Sequence, residues 1–204
     1  MGTREAKKLD KQRRIEAAGM EEFLRHGFAA ATVDAIVARA GVARGTYYLY
    51  HPDKDALLAE LLARFGGPLV AAVRCACTEL EGGADPFAVY ASLGSALTAH
   101  IGAQPDGARL LLQEARARGA GGEADRRITD TLHGLTRQIL DDAVARGLLR
   151  PHDSHAVALA ITGGVERLTL TWLDGQAGQP PLDPAAVTTE LIGLFTWGLA
   201  AGRP

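Results

Sequence analysis

Between Gly41 and Lys54 the chain reads GVARGTYYLYHPDK, which gathers three of its four tyrosines with an arginine, a histidine and a lysine. Aromatic residues fill only 5% of the 204 positions, so the concentration needs a reason. Arg44 offers a planar guanidinium whose forked N–H donors match guanine O6 and N7. Gly45 has no side chain and lets another surface come close. Thr46 and the outward tyrosines bring hydroxyls suited to phosphate oxygens, and Lys54 adds a point charge. Tyr47 and His51 are four apart and are expected on one inward face, which turns Tyr48, Leu49 and Tyr50 partly or wholly outward. This is the chemistry of gripping a polyanion. Catalytic chemistry has no comparable cluster: the sequence lacks G-x-S-x-G, H-E-x-x-H and a Walker loop. An enzyme is not expected, nor a cofactor.

The elements that must hold these residues are helices. Ile15, Ala18 and Phe23 recur at helical intervals over residues 11 to 26, with Gly27 as a stop. Thr32 is placed to cap VDAIVARA, whose Val33, Ile36, Val37 and Ala40 form one stripe ended by Gly41. A short helix fits residues 44 to 51 before Pro52. Two short helices joined through Gly41-Val42-Ala43 make a helix-turn-helix, in which the N-terminal residues of the second helix face the DNA major groove.

Further helices are expected from Asp53 through the EL at 79 to 80, bent near GGP at 66 to 68, and then from Pro86, Pro105, Glu123, Asp153 and Pro184. The pattern is therefore all-α, with about nine helices and no strand-like alternation. The boundaries divide it into residues 1–52, a DNA-binding unit with a basic N-terminal arm, and residues 53–204, a ligand-binding and dimerisation domain.

Charge follows the same division. Residues 1 to 14 hold six basic groups (Arg4, Lys7, Lys8, Lys11, Arg13 and Arg14) against Glu5 and Asp10, in a chain of net charge -2. One end is suited to a polyanion. No apolar run approaches the roughly 20 residues of a membrane span, and no signal peptide is evident at the N-terminus, so a cytoplasmic protein without a membrane partner is expected. Cys75 and Cys77 lie two apart on a helix and cannot pair with each other there. His152 and His155 lack a third ligand, so they are read as surface or capping residues and no metal site is expected.

RRIEAAGMEEFLRHGFAAATVDAIVARAGVARGTYYLYHPDKDALL resembles the DNA-binding domain of the TetR family of bacterial transcriptional regulators. The likeness rests on Ile15, Ala18, Phe23, Gly27-Phe28, Thr32-Val33, Ile36, Ala40-Gly41-Val42, Gly45-Thr46, Tyr48, Tyr50, Lys54 and Leu57. It implies a homodimer, DNA contact through the first three helices and a ligand cavity in the remainder. The expected DNA-contact set is Thr32, Val33, Arg44, Gly45, Thr46, Tyr48, Leu49, Tyr50 and Lys54. The function implied is that of a repressor that binds a palindromic operator and is released by a small-molecule effector. An all-helical adaptor that binds protein and not DNA is the alternative.

Candidate pocket residues are Tyr90, Leu93, Leu97 and His100 on one side of a helix, with Gln113 and Glu114 on the next. The last two helices are apolar on more than one side, which points to burial against a second copy through Val165, Leu168, Trp172, Leu191, Phe195 and Leu199. The chain departs from the family pattern at Gly19, Glu22 and Val37, at Ala43 where Ser is common, and at His51 where Phe is usual.

Overall fold

The structure, a computed structural model, describes residues 3–117 and 123–175 together with Glu190 and Gly198. Eight helices run through these residues: α1 Thr3–Ala30, α2 Val33–Ala40, α3 Arg44–Tyr48, α4 Lys54–Glu81, α5 Pro86–Ala103, α6 Pro105–Ala117, α7 Glu123–Ala145 and α8 Ser154–Asp174. The all-α expectation holds. The ninth helix, from Pro184, lies outside the described residues, as do Leu191, Phe195 and Leu199.

Local chemistry sets most of the boundaries. Thr32 caps α2 by accepting from the Ala35 N–H at 3.1 Å, and Gly41 ends it in the left-handed conformation at φ 62°. Asp53, Asp85 and Asp153 accept from the backbone N–H groups of Ala56, Ala88 and Ala156, which satisfies donors that have no partner within their own helix. Two expectations are corrected. α1 begins at Thr3 and takes the basic arm into the helix, while Gly27 (φ 73°, ψ 158°) breaks its helical path where the stop is expected, with a kink before residues 28–30. α3 stops at Tyr48, and residues 49 and 50 form a turn that delivers His51.

The chain forms two compact units. Residues 1–65 and 106–126 make the first, and 66–105 and 127–204 the second. The first is built on Ile15, Phe23, Ile36, Tyr47, Leu57, Leu58, Leu62 and Leu110, all essentially without solvent contact. In the second, Val73, Ala76, Cys77 and Leu80 of α4 pack with Val89 of α5 and with Leu135 and Ile139 of α7.

Two helices, α4 and α8, are long and apolar enough to cross a membrane. Neither is a continuous apolar run, because Arg64 and Arg74 interrupt α4, and Glu166 and Arg167 interrupt α8. Much of α4 is consumed by the two cores, whereas α8 leaves Leu159 and Val165 exposed. Cys75 is exposed and Cys77 buried, so the two thiols do lie on different faces.

Candidate nucleic-acid interface

The α2–turn–α3 segment is held from behind by a polar framework. Tyr47 is 0% exposed, and its hydroxyl donates to the Asp53 carbonyl at 2.9 Å. Burial, with smaller contributions from Asp53 and Tyr48, pushes its phenol up to about 12. His51 is also buried and tilts against the Tyr47 ring at 5.7 Å. The inward pair read from the four-residue spacing is therefore present.

Cations from distant sequence close the helix ends. Arg14 Nη2 donates to the Ala40 carbonyl at 2.5 Å and to Gly41 at 3.1 Å, at the C-terminus of α2. Lys54 Nζ donates to the carbonyls of Phe28, Ala29 and Ala31 and lies 4.4 Å from the centroid of the Phe28 ring. A cation at a helix C-terminus meets both orphan carbonyls and the negative end of the helix dipole. Arg39 of α2 reaches Glu22 and Glu21 on α1, each at 2.7 Å. Glu22 is buried, so the apolar residue usual at that position has been exchanged for half of an ion pair. A Cβ at Gly19 would stand 2.5 Å from Leu57 Cδ2, which explains glycine at the other departure in α1.

In front lies the surface these contacts position. Arg44, Gly45, Tyr48 and Leu49 are exposed, Leu49 at 81% and Tyr48 at 45%. Arg44 Nη1 pairs with Asp34 Oδ1 at 2.6 Å, and its Nη2 lies 3.4 Å from the Tyr48 hydroxyl. Its guanidinium is thus parked at the N-terminal end of α3, on a partner that is itself exposed. A Cβ at Gly45 would meet nothing within 4 Å, so no crowding within the protomer accounts for glycine there. Glycine costs about 1 kcal/mol in a helix relative to alanine, so Gly45 is a cost to α3 that packing within the protomer does not explain.

Ala43 gives α3 no side-chain cap, as its replacement of serine implies. Tyr50 donates its hydroxyl to the Lys8 carbonyl at 3.0 Å and so ties the basic start of α1 to the end of the α3 turn. Thr32 spends its oxygen on its cap, Val33 is half-buried, and Thr46 sits one residue beyond Gly45.

Of the nine candidate contact residues, Arg44, Gly45, Thr46, Tyr48 and Leu49 are brought together on one short stretch. Lys54 is engaged at the end of α1. Sequence spacing gives no sign of the capping by Arg14 and Lys54, because their partners lie 23 to 27 residues away.

The candidate pocket residues divide between the units. Tyr90 and Leu93 pack together against the Val73–Leu135 core of the second, and burial raises the Tyr90 phenol above its ordinary value. Leu97 is half-buried, and His100 Nδ1 faces Gln104 Nε2 at 3.4 Å. Gln113 and Glu114 fall in the first unit, Gln113 exposed and Glu114 buried. On α8, Val165 is exposed, Leu168 is half-buried, and the Trp172 ring lies against Gly102. His155 pairs with His133, at 3.1 Å, and not with His152, whose Nδ1 faces the Arg150 carbonyl.

Residues 15–61 match the family described as bacterial regulatory proteins, tetR family. YdgC of Bacillus subtilis, named as an HTH-type transcriptional regulator, is 37% identical over 60 residues, which are 29% of this chain and 31% of that protein. The chain thus matches about a third of the length of this relative. Among solved structures, a TetR-family regulator from Syntrophomonas wolfei is similar with a TM-score of 0.74 at 14% identity, over 95% of this chain and 98% of that one. The fatty acid degradation regulator FadR of Bacillus halodurans gives 0.72 at 22% identity, over 92% and 99%. FadR of Bacillus subtilis in complex with stearoyl-CoA gives 0.73 at 20%, also over 92% and 99%. These structures share the fold, and the helix-turn-helix of residues 15–61 carries the family signature. Residues 15–61 of this chain are thus a helix-turn-helix of the tetR family of bacterial regulatory proteins.

Proposed function

We propose that the protein is a repressor that reads a palindromic operator as a homodimer and leaves it when a small molecule binds. The observation that carries this reading is the exposed start of α3. Arg44 is held there by a partner it can exchange, beside a glycine that nothing inside the protomer requires. On DNA, Arg44 would trade Asp34 for a guanine edge. Thr46, Tyr48 and Tyr50, with Thr32 and Val33 at the start of α2, would meet the backbone, and Leu49 would offer apolar contact. Lys54 contributes by fixing the end of α1, a positioning role set by its three carbonyl partners.

Dimerisation is supported by α8, whose exposed Leu159 and Val165 need cover. Gly163 and Gly164 have nothing within 4 Å of a Cβ position, which leaves room for a second backbone. A dimer would set two α3 helices at a fixed separation, to match half-sites one DNA turn apart or a multiple of it. An effector must favour the arrangement that does not fit DNA, since equal affinity for both shifts nothing. Long-chain acyl-CoA is the first effector to try, because a similar structure holds stearoyl-CoA.

Selection of bound duplexes from a random library, followed by gel shift at two salt concentrations, tests the reading. It expects an inverted-repeat sequence bound tightly in excess nonspecific DNA, with affinity that falls as salt rises. Failure to enrich any sequence would contradict it.

A further inference from the structure

Inside the first unit, three side chains from separate segments converge: Glu16 of α1, His51 beyond α3 and Glu60 of α4. One ligand atom from each lies within 4.8 Å of the other two. Glu16 is 4% exposed and His51 2%. Arg64 takes one oxygen of each carboxylate, Glu16 Oε2 at 2.6 Å and Glu60 Oε1 at 3.2 Å, and Gln12 Nε2 adds to Glu60 Oε1 at 3.3 Å. The remaining oxygens are poorly served. Glu16 Oε1 is buried with no hydrogen-bond partner. Glu60 Oε2 faces His51 Nδ1 at 3.4 Å, beyond the range of a good N–H···O bond. His51 Nε2 is buried without a partner as well.

Folded proteins satisfy nearly all buried polar atoms, and two orphans in one cluster call for a missing partner. The charge balance says which kind. Two carboxylates face one guanidinium, so with a neutral imidazole the cluster keeps one negative charge in excess, shared between the buried Glu16 and the partly exposed Glu60.

We propose that Glu16, His51 and Glu60 bind one divalent first-row transition metal ion of the zinc type, between α1, the exit of α3 and α4. One imidazole nitrogen with two carboxylate oxygens suits zinc and its neighbours, whereas calcium and magnesium favour all-oxygen sets. Metal bonds near 2 Å require the ligand atoms to draw together, and Glu60, the most exposed of the three, is the one free to move. Arg64 stays beside the ion and weakens its hold, which makes the site exchangeable and not a permanent structural one. Positions 16, 51 and 60 have no motif spacing, so only the fold reveals them.

The test uses the full-length protein after chelator treatment. Cobalt(II) is titrated and followed by its visible absorption, and zinc chloride is titrated by calorimetry. The expected result is one equivalent per chain that depends on these residues, weakened about tenfold or more by Glu60→Gln and by His51→Phe. Zinc should raise the thermal midpoint of the wild-type protein and not of the variants. A His133→Ala/His155→Ala protein controls for the other imidazole pair and should keep the site. Circular dichroism checks folding. If His51→Phe does not fold, Glu60→Gln, a near-isosteric change at a half-exposed position, decides alone. No zinc binding, or binding that Glu60→Gln leaves intact, would overturn the proposal and leave His51 as an ion-pair partner of Glu60 only. The titrations contain no DNA, so the site stands or falls separately from the operator reading.

Discussion

The two units solve the same problem of helix packing with different materials. In the first, charged side chains do much of the positioning. Arg14 and Lys54 close the ends of α2 and α1, Arg39 ties α2 to Glu21 and Glu22, and Arg64 joins Glu16 to Glu60. In the second, the packing of α4, α5 and α7 centres on Val73, Ala76, Leu80, Val89, Leu135 and Ile139, with Arg146 reaching the Leu80 carbonyl at the end of α4 and Arg150 the Gly198 carbonyl. Directional contacts fix where a helix lies, while aliphatic packing tolerates exchange of shapes. A unit that presents Arg44 and Tyr48 at defined positions needs the first kind. A unit that accommodates a ligand, as the proposed function requires, can use the second.

That contrast is exposed to measurement, and the largest effects belong in the cores. Tyr47→Ala should cost about 3–5 kcal/mol in urea unfolding, with the exposed Leu49→Ala, two residues on, inside about 0.5 kcal/mol. Comparable losses at both would erase the inward–outward division of α3. Ile139→Val in the second unit should cost about 0.5–1.5 kcal/mol, because the aliphatic core keeps its chemistry.

The capping cations come next. Lys54→Ala should lower stability by roughly 1–3 kcal/mol through its charge-assisted bonds to the end of α1. A variant as stable as the parent but weaker on every duplex would instead make Lys54 a phosphate contact. Gly41→Ala should cost roughly 1–2 kcal/mol, since φ is 62° and the new Cβ would stand 2.7 Å from Arg14 Nη2.

The last effect is a slope. Tyr47 holds its proton to about 12 when folded and to 10.0 at its ordinary value. Between these values the unfolded chain has lost the proton that the folded one keeps, so stability falls as pH rises through that window. Tyr47→Phe should remove this part of the alkaline slope and also cost about 0.5–1.5 kcal/mol at neutral pH, through the lost bond to the Asp53 carbonyl.

How much of this was legible in the sequence depended on range. Thr32, Gly41 and Asp85 act within a few residues, and their positions gave the limits of α2 and the start of α5 directly. Tyr47 and His51, four apart, announced a common face. The partners of Lys54 and Arg14 are set by tertiary contact, so Lys54 read as a phosphate contact and Arg14 as part of a free basic arm. The same holds for Glu16, His51 and Glu60, which no local spacing unites. In the second unit, Tyr90 and Leu93 lay on one helical side as expected. Gln113 and Glu114, in the middle of α6, fall in the other unit, a division that no periodicity marks. Periodicity finds a face but does not say what covers it.

The central claim is that the exposed start of α3 reads bases through Arg44. Its most direct test compares the wild type and Arg44→Ala on the selected operator and on an unrelated duplex at one salt concentration, by fluorescence anisotropy. The account predicts a loss of about 1–3 kcal/mol on the operator, little change on the unrelated duplex and an unchanged thermal midpoint. An equal, small loss on both duplexes would contradict it and reduce Arg44 to a contact with the phosphate backbone.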